Sequence, residues 1–204
     1  MRILSALALL LLLAGCPVYQ MNRLPDSTSL RQPLTLSVDG EFTHAPSRYR
    51  FPAEVAPFKR VALRQYDSAG LDVSAGYNAR PFGCLIAITI YVYPAPRESF
   101  AGADPALVRE SDARRLQAGY ERGKQEITSV HPGASLRLED LPVQDGVTGM
   151  KAIYQFDDRD SELLVFIVDH TWYLKYRITY PTACAGLGRD GARDFLRTWR
   201  RRAD

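Results

Sequence analysis

Cys84-Leu85-Ile86-Ala87-Ile88-Thr89-Ile90-Tyr91-Val92-Tyr93 is the stretch on which the fold turns. Successive side chains of an extended chain point to opposite sides, so Ile86, Ile88, Ile90 and Val92 share one face and Leu85, Ala87, Thr89, Tyr91 and Tyr93 the other. β-branched and aromatic residues suit a pleated surface. Neither face carries a charge, so this strand is expected at the centre of a sheet, covered on both sides.

On its N-terminal side, residues 59–66 and 71–78 flank the turn residues Asp67-Ser68-Ala69-Gly70 and read as a hairpin. Further back, Leu34-Thr35-Leu36-Ser37-Val38 alternates up to the turn signal Asp39-Gly40, and ordered structure is expected to begin at Leu34. On the C-terminal side, Asp104 can cap a helix that Pro105 opens and His131-Pro132-Gly133 ends. Ala113, Leu116, Tyr120, Gly123 and Ile127 recur at spacings of three and four and mark its buried stripe, while Gly119 and Gly123 would let it lie close to a sheet.

Residues 149–156, 162–169 and 172–180 are strands joined by short polar turns, which means antiparallel pairing. On the last of them Trp172, Leu174, Tyr176, Ile178 and Tyr180 share one face, and Tyr173, Lys175, Arg177 and Thr179 share the other, more polar one. The chain closes with an amphipathic helix built on Ala192, Phe195, Leu196 and Trp199. The expected fold class is α+β: a mostly antiparallel sheet with a long middle helix and a C-terminal helix packed on it, forming one domain over 34–204.

This order of elements, with the strand-end pattern Lys175-Tyr176-Arg177-Ile178-Thr179-Tyr180-Pro181, resembles the PsbP-like and DcrB-like domains, which include envelope lipoproteins. The resemblance covers roughly residues 34–202 and implies an accessory or assembly role. It carries no catalytic residue over to this chain.

The N-terminus supplies an address. Arg2 precedes an apolar run ending in Leu13-Ala14-Gly15-Cys16, which resembles the lipobox of bacterial lipoproteins processed by signal peptidase II. That resemblance implies a signal peptide over 1–15, cleavage between Gly15 and Cys16, a diacylglycerol on the Cys16 sulfur and an acylated new amino terminus. The run is too short to span a bilayer, which takes about 20 residues. Two or three acyl chains, unlike one, anchor stably. Residues 16–33, with Asn22, Pro25, Asp26, Ser27, Thr28, Ser29 and Gln32, are expected to be the lipidated N-terminus and a flexible tether. Pro17, rather than an aspartate, follows the cysteine, so the expected location is the outer membrane, facing the periplasm.

With Cys16 set aside, Cys84 and Cys184 remain, and in an oxidising compartment they are expected to pair; two separate buried thiols are the alternative. No CxxC spacing supports redox or zinc chemistry. The 204 residues carry a formal charge of +3, a balance that argues neither for nor against nucleic acid. The basic residues are spread out, and no nucleic-acid partner is expected. The exception is Arg200-Arg201-Arg202, which complements the negative end of a terminal helix or meets anionic headgroups.

No catalytic, cofactor-binding or metal-binding residue is assigned. Gly186-Leu187-Gly188-Arg189-Asp190-Gly191 matches GxGxxG, but the chain ends too soon after it for a βαβ unit, so it reads as a flexible connection with Asp190 capping the last helix. Asp157, Asp158, Asp160 and Glu162 lack the spacing of a calcium loop and read as a solvated turn. His44, His131 and His170 lie in three separate loops, with His170 beside Asp169, and no GxSxG nucleophile elbow is present.

The remaining candidate is a basic, partly aromatic patch of Lys151, Gln155, Tyr173, Lys175 and Arg177, facing an envelope protein or a small anionic ligand. The expected function is therefore a lipid-anchored binding or assembly module, with no cofactor. The alternatives are a membrane-tethered envelope hydrolase and a structural spacer in an envelope complex.

Overall fold

The computed structural model describes residues 24–98, 104–144 and 146–199. The expected signal segment 1–15, Cys16, the first part of the expected tether and Arg200-Arg201-Arg202 lie outside the described residues. The strands are β1 (Ser29–Thr35), β2 (Phe42–His44), β3 (Tyr49–Phe51), β4 (Glu54–Val55), β5 (Phe58–Asp67), β6 (Val73–Ala79), β7 (Ile86–Pro94), β8 (Ser135–Asp140), β9 (Val143–Gln144), β10 (Val147–Thr148), β11 (Met150–Phe156), β12 (Arg159–Val168) and β13 (Trp172–Pro181). The helices are α1 (Pro105–Val130) and α2 (Ala185–Thr198).

Among the described residues, one nine-stranded antiparallel sheet runs in the order β1-β5-β6-β7-β13-β12-β11-β8, with β4 on the side of β5. The fold is α+β, mostly antiparallel sheet with a long middle helix and a C-terminal helix packed on it. β7 is central, and Ile86, Ile88, Ile90 and Val92 are wholly buried, as its uncharged alternation requires.

Directly paired residues share a face, which lets the register sort the side chains. Lys151, Leu164, Tyr176 and Ile90 lie in one row across β11, β12, β13 and β7. Ala152, Leu163, Arg177, Thr89, Gly76 and Ala62 lie in a row on the other face. The first face is closed by α2, which lies across β13 and β7, and by the β2–β3 hairpin. Trp199 joins the two, its ring 6.0 Å from Tyr49 and 6.5 Å from Phe195. The second face is covered by α1, whose close strands are β12 and β11.

The local signals explain the elements. Asp104 accepts the Ala106 amide at 2.7 Å and Pro105 takes the first helical position, so α1 starts where the sequence places it. Asp169 and His170 both have positive φ, 49° and 57°, and Thr171 N donates to Val168 O at 3.1 Å: a two-residue type I′ turn joining β12 to β13.

Three expectations need correction. Ordered structure begins before Leu34: Leu24 packs against the core and β1 pairs with β5 from Ser29. This strand hides in a polar sequence because it is an exposed edge strand with an irregular register, where Pro33 is tolerated.

The buried stripe of α1 is Ser111, Arg115, Gly119, Tyr120, Gly123 and Ile127, and Ala113 is exposed. The stripe thus contains a charge. Arg115 donates to the carbonyls of Pro96 and His170, at 3.0 Å each, and pairs with Asp112, riveting the start of α1 to the β12–β13 turn.

Finally, the whole of 186–191 is helical, and Asp190 pairs with Arg193 at 3.0 Å instead of capping. The glycines serve close packing. A Cβ on Gly188 would lie 2.2 Å from Cγ of the Tyr180 ring, and one on Gly191 would lie 2.9 Å from Ile86 Cδ1.

Gly119 and Gly123 do the same for α1. A Cβ at Gly119 would sit 2.5 Å from the Tyr173 ring, and one at Gly123 2.9 Å from Leu163 Cδ2. Alanine gains about 1 kcal/mol of helix propensity over glycine, but overpacking a tight contact costs about 1–3 kcal/mol. At Gly119 the ring cannot retreat freely, because Tyr173 is buried and its hydroxyl donates to Arg115 O at 2.6 Å. Gly119→Ala is therefore expected to lower the urea midpoint, whereas a propensity-dominated site would raise it.

Candidate functional site

Because α1 packs mainly on β12 and β11 and reaches β13 through Tyr173 and Lys175, the rest of the face, over the far part of β13 and over β7, β6 and β5, keeps partial exposure. This shelf spans three strand spacings, about 14 Å. One row across it is Lys175, Tyr91, Ser74 and Arg64; the next is Arg177, Thr89, Gly76 and Ala62.

Lys175 is buried at the foot of α1. Its Nζ lies 2.7 Å from Glu126 Oε2 and stands 4.7 Å from the centre of the Tyr91 ring and 5.6 Å from that of Tyr93. Neutralised by a carboxylate and cradled by two rings, it is held at small cost. Tyr93 packs on Tyr173 with centroids 5.1 Å apart, and Tyr66 shares a hydrogen bond of 3.0 Å with Ser74. Burial pushes the phenols of Tyr91 and Tyr93 above their ordinary range.

Arg177 differs from its neighbour. It is partly buried, its Nε is sealed from solvent without a hydrogen-bond partner, and desolvation pulls its guanidinium below the usual arginine value. Two residues along the face, on the adjacent strand β12, the Ser161 hydroxyl is also buried without a partner; Ser161 opposes Thr179 while Leu163 opposes Arg177.

Asp72, in the β5–β6 connection, is pushed up to about 6, mainly by burial and next by the Asp67 carboxylate, with Lys175 opposing. The folded state thus holds its proton more tightly than the unfolded state. The Asp72 contribution is most favourable below the unfolded value near 3.8 and is lost as pH rises through about 6. Asp72→Asn is expected to raise stability at pH 7.5, on the order of 1 kcal/mol once solvent screening is allowed for. Denaturant midpoints of both proteins from pH 4 to 8 check this: the gain should shrink towards pH 4, and a pH-independent difference would contradict it.

The patch expected from the sequence is divided between the two faces. Tyr173, Lys175 and Arg177 stand on the α1 face, but Lys151 and Gln155 are on the opposite one. Lys151 pairs there with Glu162 at 2.5 Å, and Gln155 accepts from Arg137. Alternation within a strand is legible from sequence. Which parity of one strand matches which of the next is set by the register of the hairpins between them.

The acidic turn is likewise divided. Asp157 and Asp158 are exposed, Asp160 accepts from Thr182 Oγ1 at 3.0 Å, and Glu162 is buried, accepting from the Tyr180 hydroxyl at 2.6 Å. Among the described residues no group of three His, Cys, Asp or Glu is placed to hold a metal.

The histidines have separate roles. His44 is buried between Ser47 Oγ at 2.5 Å and Gly70 O at 2.7 Å, and desolvation lowers its pKa. His131 ends α1 and stacks on Phe156, centroids 3.8 Å apart. His170 pairs through Nδ1 with Asp112, a residue of α1 that no sequence motif singles out.

No protein-family model matches the chain, and no curated protein does either. Function must then be argued from the surface itself.

A second depression, of about 310 Å³, lies between α1 and β8 and is lined in part by Tyr120, Lys124, Glu139 and Met150. Its charges satisfy one another: Lys124 Nζ is 2.8 Å from Glu139 and 3.5 Å from Glu121, and the Tyr120 hydroxyl donates to Glu139 at 2.7 Å. The Lys124 ammonium and then the Tyr120 hydroxyl hold the Glu139 carboxyl below its ordinary value. The α1-face shelf, with an unanswered donor, is the better candidate. Cys84 and Cys184 form a disulfide, Cα atoms 6.3 Å apart, that ties the start of β7 to the residue before α2.

Proposed function

We propose that this chain is a lipid-anchored envelope lipoprotein, held at the outer membrane through Cys16 and facing the periplasm, whose domain binds a small anionic ligand on the open half of its α1 face. The observation that carries the binding role is the shelf: one helix covers about half of a large sheet face, and the uncovered half presents tyrosines, hydroxyls and a partly buried arginine whose Nε has no hydrogen-bond acceptor. The Cys84–Cys184 disulfide supports an oxidising compartment, and the lipobox-like Leu13-Ala14-Gly15-Cys16 supports the anchor. Metabolic labelling with palmitate followed by fractionation tests the anchor. The wild-type chain should carry label in the membrane fraction and Cys16→Ala should lose it; equal labelling of both would refute the reading.

One observation favours the hydrolase alternative: the carboxylate of Asp112 comes from a different segment to orient His170, as a general base requires. His170→Gln would abolish such an activity on envelope esters or amides and leave ligand binding on the shelf intact.

A further inference from the structure

Arg177 is a partly buried cation of the shelf that no salt bridge among the described residues neutralises. Lys175, two residues before it on the same face, already has Glu126 at 2.7 Å, whereas Arg177 forms no salt bridge among the described residues, and Tyr91 and Glu126 act on it only electrostatically. Its Nε hydrogen is sealed from water, and leaving such a donor without an acceptor costs about 1–3 kcal/mol. The neighbouring Ser161 hydroxyl is a second buried group in the same state. Both are donors, and both lie beside Thr179 on one face of β12 and β13.

The row leading from Arg177 towards the sheet edge is Thr89, Gly76 and Ala62. These side chains are small and partly exposed. A guanidinium edge presents paired N–H groups matched to two oxygens of one oxyanion, and such charge-assisted bonds are about twice as strong as neutral ones.

We infer that the Arg177 corner of the shelf is an oxyanion site, taking a carboxylate or a phosphate group of a small ligand on the Arg177 guanidinium, with the hydroxyl of Thr89 or Thr179 beside it. This deepens the ligand-binding reading of the α1 face and rests on it, but is independent of the lipid anchor. Lys175 and Glu126, as a neutral pair, form the wall, with the Tyr91 ring under the Lys175 ammonium.

The test is a titration of the purified full-length chain in detergent with sodium phosphate in one arm and sodium acetate in the other. It is followed through the nitrogen-15 and proton resonances of the arginine Nε–H groups at constant ionic strength. The inference expects a saturable shift of the Arg177 resonance in at least one arm, at millimolar concentrations, with slower exchange of its Nε hydrogen. The exposed Arg64 and Arg122 should move little. Saturation by phosphate alone identifies a phosphoryl ligand, and by acetate alone a carboxylate. In Arg177→Gln, monitored through the Thr89 and Thr179 amides, affinity should fall at least tenfold, with Arg177→Lys intermediate. A shift that never saturates, or that Arg64 and Arg122 share equally, would overturn the inference. So would full affinity in Arg177→Gln. Since no membrane or palmitate enters this titration, its failure is distinct from a failure of Cys16 labelling.

Discussion

Trp199→Ala is expected to destabilise the domain by about 3–5 kcal/mol, the cost of deleting a large buried aromatic side chain. Trp199 is 3% exposed and stands just past the end of α2, where three elements meet. Its ring stacks on Tyr49 of β3 at 6.0 Å and meets Tyr176 of β13 edge-on at 6.0 Å, and its indole N–H donates to Arg50 O at 3.0 Å. Truncation would open a cavity between helix, hairpin and sheet and remove the hydrogen bond to Arg50 O. Because the β2–β3 hairpin has its own small sheet, separate from the main one, loss of this wedge should loosen the hairpin first. Urea denaturation checks the magnitude, and amide exchange in 42–51 checks the order of events. Leu187→Ala, at an exposed position of the same helix, should stay within about 0.5 kcal/mol of wild type. A loss below 1 kcal/mol for Trp199→Ala would mean that α2 does not close this face.

Removing the disulfide should cost a similar amount by a different route. Cys84 and Cys184 are 100 residues apart, and a cross-link closing a loop of that length restricts the unfolded chain by about 4.7 kcal/mol in the chain-entropy model. Native disulfides of secreted domains typically contribute about 2–5 kcal/mol. The double variant Cys84→Ala/Cys184→Ala is expected to lose stability in that range while keeping the native circular dichroism spectrum, since the sheet register does not depend on the bridge. Wild-type protein measured with reductant should match the variant. Unchanged stability on reduction would mean that the bridge is not formed in solution.

The parts of the fold legible in the sequence were those written in local chemistry. Uncharged alternation placed β7 at the centre, the alternation of β13 sorted its two faces, and Asp104-Pro105 and His131-Pro132 bounded α1. What was not legible depended on pairing between segments. Lys151 and Gln155 alternate as the patch required, yet the register of β11 on β12 turns them to the face opposite Lys175 and Arg177. β1 was hidden because an edge strand needs no apolar pattern. Arg115 was invisible to a search for apolar stripes: its burial is satisfied by carbonyls of Pro96 and His170, residues distant in the chain. The glycine motif of 186–191 was misleading for the converse reason, since glycine permits close packing as readily as it permits turns.

The candidate site was half legible for the same cause. Tyr173, Lys175 and Arg177 were found from one strand, and Tyr66, Ser74, Asp72 and Tyr91 join them only through the order of β5, β6, β7 and β13. The distinction that matters most, a Lys175 salt-bridged to Glu126 beside an Arg177 without a salt bridge, is set by where Glu126 stands on α1, 49 residues away in sequence from Lys175. No pattern in the strand itself separates the two cations.

The central claim is that the open half of the α1 face is the working surface of this protein. The most direct measurement places a photo-crosslinking amino acid at Thr89, in the row beside Arg177, in the full-length chain in living cells. The adducts are then weighed by mass spectrometry. The account predicts a discrete low-mass adduct carrying a carboxylate or phosphate, formed from Thr89 and lost when Arg177→Gln is added. Absence of any adduct at Thr89, a protein adduct in its place, or a small-molecule adduct that persists unchanged in Arg177→Gln would contradict it.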